Sequence, residues 1–133
     1  MGVFGYYGKE EQGGAINTTT IAGPDLTLSL DPLELNIQYV WREDNNPFFN
    51  SVNKMQTNAA FAELVYSPEN DRSLWYGVLL YNWVKSPIGG LSYQSATVNG
   101  NYLLARNVRL LGEYTYDIEQ KANKVTVGII TAF

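Results

Sequence analysis

The sequence predicts an all-β fold, an antiparallel up-and-down transmembrane β-barrel of about eight strands. Three observations carry that reading. Apolar and polar residues alternate with period two, the strands are long, and aromatic residues gather at two levels. The alternation is clearest in VRLLGEYTYDIE. Val108, Leu110, Gly112, Tyr114, Tyr116 and Ile118 fall on one side, and Arg109, Leu111, Glu113, Thr115, Asp117 and Glu119 on the other. LELNIQYVWR repeats it, with Leu33, Leu35, Ile37, Tyr39 and Trp41 against Glu34, Asn36, Gln38, Val40 and Arg42.

Eight segments read as strands in this way. They are Gly2–Gly8, Thr18–Leu30, Leu33–Arg42, Thr57–Ser67, Ser73–Lys85, Tyr93–Ala105, Val108–Glu119 and Lys124–Phe133. The fourth contains NAAFAELVY, the stretch most tolerant of a helix, but its neighbours favour a strand. Connections at Asp31-Pro32, Pro68–Arg72 and Arg106-Asn107 read as tight; those at Lys9–Asn17, Glu43–Gln56 and Ser86–Ser92 read as longer. In an up-and-down sheet this alternation gathers the short turns at one end, here called the bottom. Gly89-Gly90 after Pro87 is turn chemistry, and glycines inside strands mark bends or close packing.

Period two does not say which side faces inward, because a soluble barrel and a membrane barrel invert it. The aromatic residues break the tie. Tyr66, Trp75 and Phe133 stand near the bottom of their strands; Tyr39, Trp41, Trp83, Tyr114 and Tyr116 stand near the top. Trp75 and Trp83 bracket one strand, with Gly77, Leu79 and Tyr81 between them on the same side. Eight residues span roughly 26 Å, or about 20 Å of height at a tilt of about 40°, close to the ~25 Å between the aromatic girdles of an outer-membrane barrel. Several strands also exceed the usual length of about 5–6 residues and approach the ~9–11 that a bilayer asks for. Hydrocarbon offers no hydrogen-bond partner, so strands cross it only as a closed barrel. The expected lipid-facing girdle is therefore Tyr39, Trp41, Tyr66, Trp75, Trp83, Tyr114, Tyr116 and Phe133. The expected lumen lining is Glu34, Asn36, Gln38, Arg42, Glu63, Asn82, Arg109, Glu113, Asp117 and Lys124.

Composition narrows the function. The 133 residues suffice for one domain, 45% are hydrophobic and 14% aromatic, and ten tyrosines suit an oil–water boundary. The net charge of -4, without a basic cluster, argues against nucleic acid. There is no cysteine and no histidine, so disulfides, Ser-His triads, Cys-His pairs and most zinc sites are excluded. Accordingly no catalytic residue, enzyme activity, metal or cofactor is expected.

Two clusters carry groups capable of chemistry. Glu113, Asp117 and Glu119 share one side of a strand, but same-face neighbours lie about 7 Å apart, so Glu113 and Asp117 do not share a proton. Their expected role is a lumen wall or pairing with Arg109 and Lys124. The segment REDNNPFFNSVNK, Arg42–Lys54, offers Glu43, Asp44, Asn45 and Asn46 for calcium or for a channel mouth, and Phe48 and Phe49 for a constriction. The plainer expectation is a solvated loop whose phenylalanines pack on the rim.

The closing segment NVRLLGEYTYDIEQKANKVTVGIITAF resembles the last hairpin of Gram-negative outer-membrane porin-like β-barrel proteins. Such chains end on an aromatic residue that closes an amphipathic strand, which the barrel-assembly machinery reads. Val125, Val127, Ile129 and Phe133 fit that assembly signal, while Thr131 departs from it. The resemblance implies a bacterial outer-membrane location, ion transport and passive diffusion of small polar solutes, with outer-membrane lipid as a partner and homo-oligomers, often trimers, in the family. Upstream it is one of pattern only. Porins have about 16–18 strands and eight are found here. The short first strand fits the C-terminal half of a larger barrel; the even count fits a complete small one. Two other functions remain open: a small closed eight-stranded barrel with a structural or adhesion role, and a soluble ligand-binding β-barrel.

Overall fold

The computed structural model describes residues 1–50 and 53–132. Eight strands form one sheet: β1 (Gly2–Gln12), β2 (Ala15–Leu30), β3 (Leu33–Asp44), β4 (Met55–Tyr66), β5 (Trp75–Lys85), β6 (Tyr93–Ala105), β7 (Val108–Asp117) and β8 (Ala122–Thr131). Each pairs antiparallel with the next, in the order β1-β2-β3-β4-β5-β6-β7-β8. Among the described residues β1 and β8 share no pairing, so both are edges of an open sheet. The segment NAAFAELVY is strand, as its neighbours implied; a lone helix of that length would be marginal, whereas β3 and β5 offer it ladders on both sides.

Two connections differ from expectation. The loop expected over Lys9–Asn17 is instead a two-residue hairpin turn at Gly13-Gly14, with φ of +59° and +82°. Consecutive glycines at positive φ form the turn whose twist suits a hairpin, so β1 and β2 extend to meet it. The connection expected to be tight at Pro68–Arg72 spans residues 67–74 and contains a short 3-10 turn at Asn70–Arg72. The alternation of loop lengths is thus weaker than the sequence implied.

The registers sort every strand residue onto one of two faces. On the first, Leu35, Leu64, Leu79, Val98, Tyr114 and Val125 form one unbroken cross-strand row. On the second lie most of the charged and amide side chains. No hydrophobic side chain is buried among the described residues; Asn17, Asp44, Asn46, Ser95 and Thr97 are. Along β6, Ser95 is 1% exposed and Thr97 9%, while Val98, pointing the other way, is 55% exposed. A flat sheet would expose both faces alike. The difference is what a sheet curled toward its polar face produces, because side chains converge on the inside of a curve and spread on the outside.

One glycine sits where the backbones of β2 and β3 approach closely. A Cβ on Gly23 would lie 1.9 Å from the Tyr39 carbonyl oxygen and 3.0 Å from the Phe4 ring. The β2–β3 ladder is interrupted at Gly23 and Pro24 and resumes at Asp25. A residue without a side chain, followed by one without an N–H, fits a close backbone approach at a gap in a ladder.

Candidate solute-facing surface

All ten residues expected to line a lumen share one face: Glu34, Asn36, Gln38 and Arg42 on β3, Glu63 on β4, Asn82 on β5, Arg109, Glu113 and Asp117 on β7, and Lys124 on β8. Seven of the eight expected girdle residues, Tyr39, Trp41, Tyr66, Trp75, Trp83, Tyr114 and Tyr116, share the other. The eighth, Phe133, lies outside the described residues. Tyr66 and Trp75 meet at 5.6 Å between ring centroids near the bottom. Near the top, Tyr39 and Trp83 flank Ala60 in one row. The Tyr39 hydroxyl donates to Asn58 and that of Tyr114 to Asn123, each at 2.7 Å, so both rings keep their polar tips toward amides. On β8, Val125, Val127 and Ile129 stand exposed on the same apolar face.

The polar face carries three hydrogen-bonded groups. At the top, Asp44 accepts from Arg42 Nε at 2.7 Å and Nη2 at 3.0 Å, from the Thr19 hydroxyl at 2.6 Å and from Asn17 at 3.2 Å. The Asn46 amide N–H donates in turn to Asn17 Oδ1 at 2.9 Å. Asp44 is only 5% exposed, and these donors are what make its burial tolerable. Asp44 and the Asn46 backbone thus take part in the rim's architecture; no cluster of three or more acidic residues placed to hold a metal occurs among the described residues. Phe48 is 58% exposed rather than packed, and Phe49 adopts φ +54°.

Further down, Asn36 Nδ2 donates to Glu34 Oε1 at 2.9 Å and to Glu63 Oε1 at 3.2 Å, while its carbonyl accepts from Thr27. One amide thus holds two carboxylates without a cation. The third group spans β5–β7. Thr97 and Thr115 hydroxyls meet at 2.8 Å, Asn99 donates to Glu113 at 3.5 Å, and Asn101 donates to Asn99. Arg109 crosses over β6 to donate to the Tyr76 hydroxyl at 3.1 Å, with its guanidinium 5.3 Å from the ring centroid. That reach across two strands is a second sign of the curl.

The expected pairing of Glu113 or Asp117 with Arg109 and Lys124 does not occur. The ion pairs among the described residues are Arg42–Asp44 and Lys54–Glu43. Asp117 instead accepts from the Gln120 N–H at 2.8 Å and closes the β7–β8 turn. By register the polar face also holds Glu10 and Asp25. Its carboxylates are then Glu10, Asp25, Glu34, Asp44, Glu63, Glu113 and Asp117, against the cations Arg42, Arg109 and Lys124. A wetted groove so lined concentrates cations.

Not every residue on this face is polar. Val65, Val78 and Leu80 sit among Glu63, Tyr76, Asn99 and Glu113 and floor a cavity of about 440 Å³. Sorting residues by polarity does not reveal this patch; the registers bring Val65, Val78 and Leu80 together on the charged side.

The geometry defines the class: an all-antiparallel, up-and-down eight-stranded sheet of β-barrel-like fold, with its apolar face turned outward. No family model, curated protein or solved structure matches the chain, so no particular family is assigned.

Proposed function

We propose that the chain is the wall of a porin-like channel in a bacterial outer membrane, through which small polar solutes and ions diffuse along the polar face. The carrying observation is the inverted burial on β6: polar Thr97 is 9% exposed and apolar Val98 55%. In water that arrangement would waste the hydrophobic effect; in hydrocarbon it satisfies it. The Trp75–Trp83 spacing and the amide-tipped tyrosines suit two bilayer interfaces. Outer-membrane lipid is the partner of the outward face. The assembly machinery would read Val125, Val127 and Ile129, with Phe133, from the last strand.

An open edge has no hydrogen-bond partner in hydrocarbon. In the membrane β1 and β8 are therefore paired, either with each other or with strands from beyond this sheet. The first case gives a closed eight-stranded barrel, narrow enough for side chains to fill, with a structural or adhesion role. The second gives a wider pore. The cavity of about 440 Å³ and the carboxylates without cation partners favour a wetted interior over a filled one. A soluble ligand-binding barrel is disfavoured by the exposed apolar row.

The test is conductance of the protein reconstituted in planar lipid bilayers. Stepwise, cation-preferring currents support the channel. A β-folded, lipid-inserted sample that passes no ions refutes it. Cysteine pairs around Val3 and Val127, oxidised in lipid, report closure: a fast intramolecular bridge in one register means that β1 and β8 are neighbours.

A further inference from the structure

We propose that the polar face carries a binding site for organic cations, at the cavity that β4–β7 form. The occupant is a primary ammonium on a small apolar body. The inference rests on this face being wetted, as the channel reading requires, but not on passage through it.

Two kinds of chemistry meet in the cavity. Glu63 from β4 and Glu113 from β7 stand on opposite flanks, and Val65, Val78 and Leu80 form the floor. Each carboxylate takes a neutral amide as donor, Asn36 for Glu63 and Asn99 for Glu113. A carboxylate has about four lone-pair sites, so one amide leaves acceptor capacity for a cation. Of the cations on this face, Arg42 is paired with Asp44 and Arg109 is engaged with the ring and hydroxyl of Tyr76, while Lys124, opposite Thr115 on β8, makes no ion pair with Glu113. Both ion pairs among the described residues lie elsewhere, at the top of the sheet.

The floor discriminates among cations. A potassium ion gains from Glu63 and Glu113 but nothing from Leu80. A sugar gains from the amides and leaves both charges unanswered. An anion is repelled. An alkyl or aryl ammonium answers both features, its charged end on one of the carboxylates and its body covering Val78 and Leu80. The volume, about 440 Å³, lies at the small end of the range of about 300–1,000 Å³ for ligand clefts, which suits a molecule of phenethylamine size.

The experiment uses phenethylammonium chloride as probe and 2-phenylethanol as its neutral counterpart. The full chain is folded into lipid nanodiscs, its β-content is confirmed by circular dichroism, and binding is read by saturation-transfer NMR and calorimetry. Saturable binding of phenethylammonium is expected, with phenylethanol at least tenfold weaker. Glu63→Gln with Glu113→Gln should weaken phenethylammonium at least tenfold, Leu80→Asn should weaken it too, and Glu69→Gln, in the bottom connection, should leave it unchanged. Absence of saturable binding by folded protein overturns the proposal, as does equal binding by the double variant. Ion flux measured on the same protein reconstituted into sealed liposomes separates the two ideas. Flux without binding retains the channel and refutes the site; glutamate-dependent binding without flux retains the site and refutes the channel.

Discussion

Leu79 lies midway between Trp75 and Trp83, four residues from each, in the outward row that includes Leu64 and Val98. If the two tryptophans mark the interfaces, Leu79 marks the midplane. Arginine there should cost about 2–4 kcal/mol, the penalty for a cation at the centre of a barrel's lipid face. That corresponds to a roughly 30- to 900-fold loss in the folding equilibrium constant. In water the same side chain is 52% exposed, and an exposed substitution would stay within about 0.5 kcal/mol. The two settings therefore predict clearly separated numbers. The assay is reversible urea unfolding from phospholipid vesicles, followed by the fluorescence of Trp41, Trp75 and Trp83. Asn99→Arg, on the opposite face, serves as the control and should cost less. A loss under about 0.5 kcal/mol for Leu79→Arg in lipid-inserted protein would overturn the assignment of faces.

Three further outcomes follow from the same geometry. Gly23→Ala places a Cβ against the Tyr39 carbonyl and should destabilise by about 1–3 kcal/mol, read in the same urea titration; a neutral result would mean that the backbone relaxes there. Asp44→Ala strips the acceptor from Arg42, Thr19 and Asn17 and should cost about 1–3 kcal/mol; hydrogen exchange should accelerate at residues 17–20 and 42–46 while β5–β7 stay protected. Glu34→Gln with Glu63→Gln removes two negative charges from the polar face and should lower the cation preference read from reversal potentials in a KCl gradient, with the fold intact by circular dichroism; an unchanged preference would place the ion path elsewhere.

The sequence revealed most of the fold because period two is a local signal. In β3 and β7 each residue's side is set by its immediate neighbours, and both expected faces match the registers. Strand ends were less legible. KEEQGG reads as a polar loop, yet Gly13-Gly14 needs only two residues to turn the chain, and the polar residues before it pair with β2 as strand. The site was legible as a set of residues but not as contacts. Asp44 meets Asn17 over 27 positions, and Arg109 meets Tyr76 over 33, through curvature that no local pattern encodes. The aliphatic floor of Val65, Val78 and Leu80 was hidden for a related reason: these three run against the polarity of the face they share.

Among the described residues no apolar side chain is sealed inside the protein. Folding therefore does not gather a core. It spreads leucine, valine and aromatic rings across a surface, and in the proposed membrane setting their shielding would fall to the surrounding hydrocarbon. In that setting the stability of the sheet would be a joint property of chain and membrane. Acyl chains much shorter or longer than the span from Trp75 to Trp83 would weaken the fold without altering a single residue. Thinning the bilayer would then act on this protein as a cavity mutation acts on a globular one.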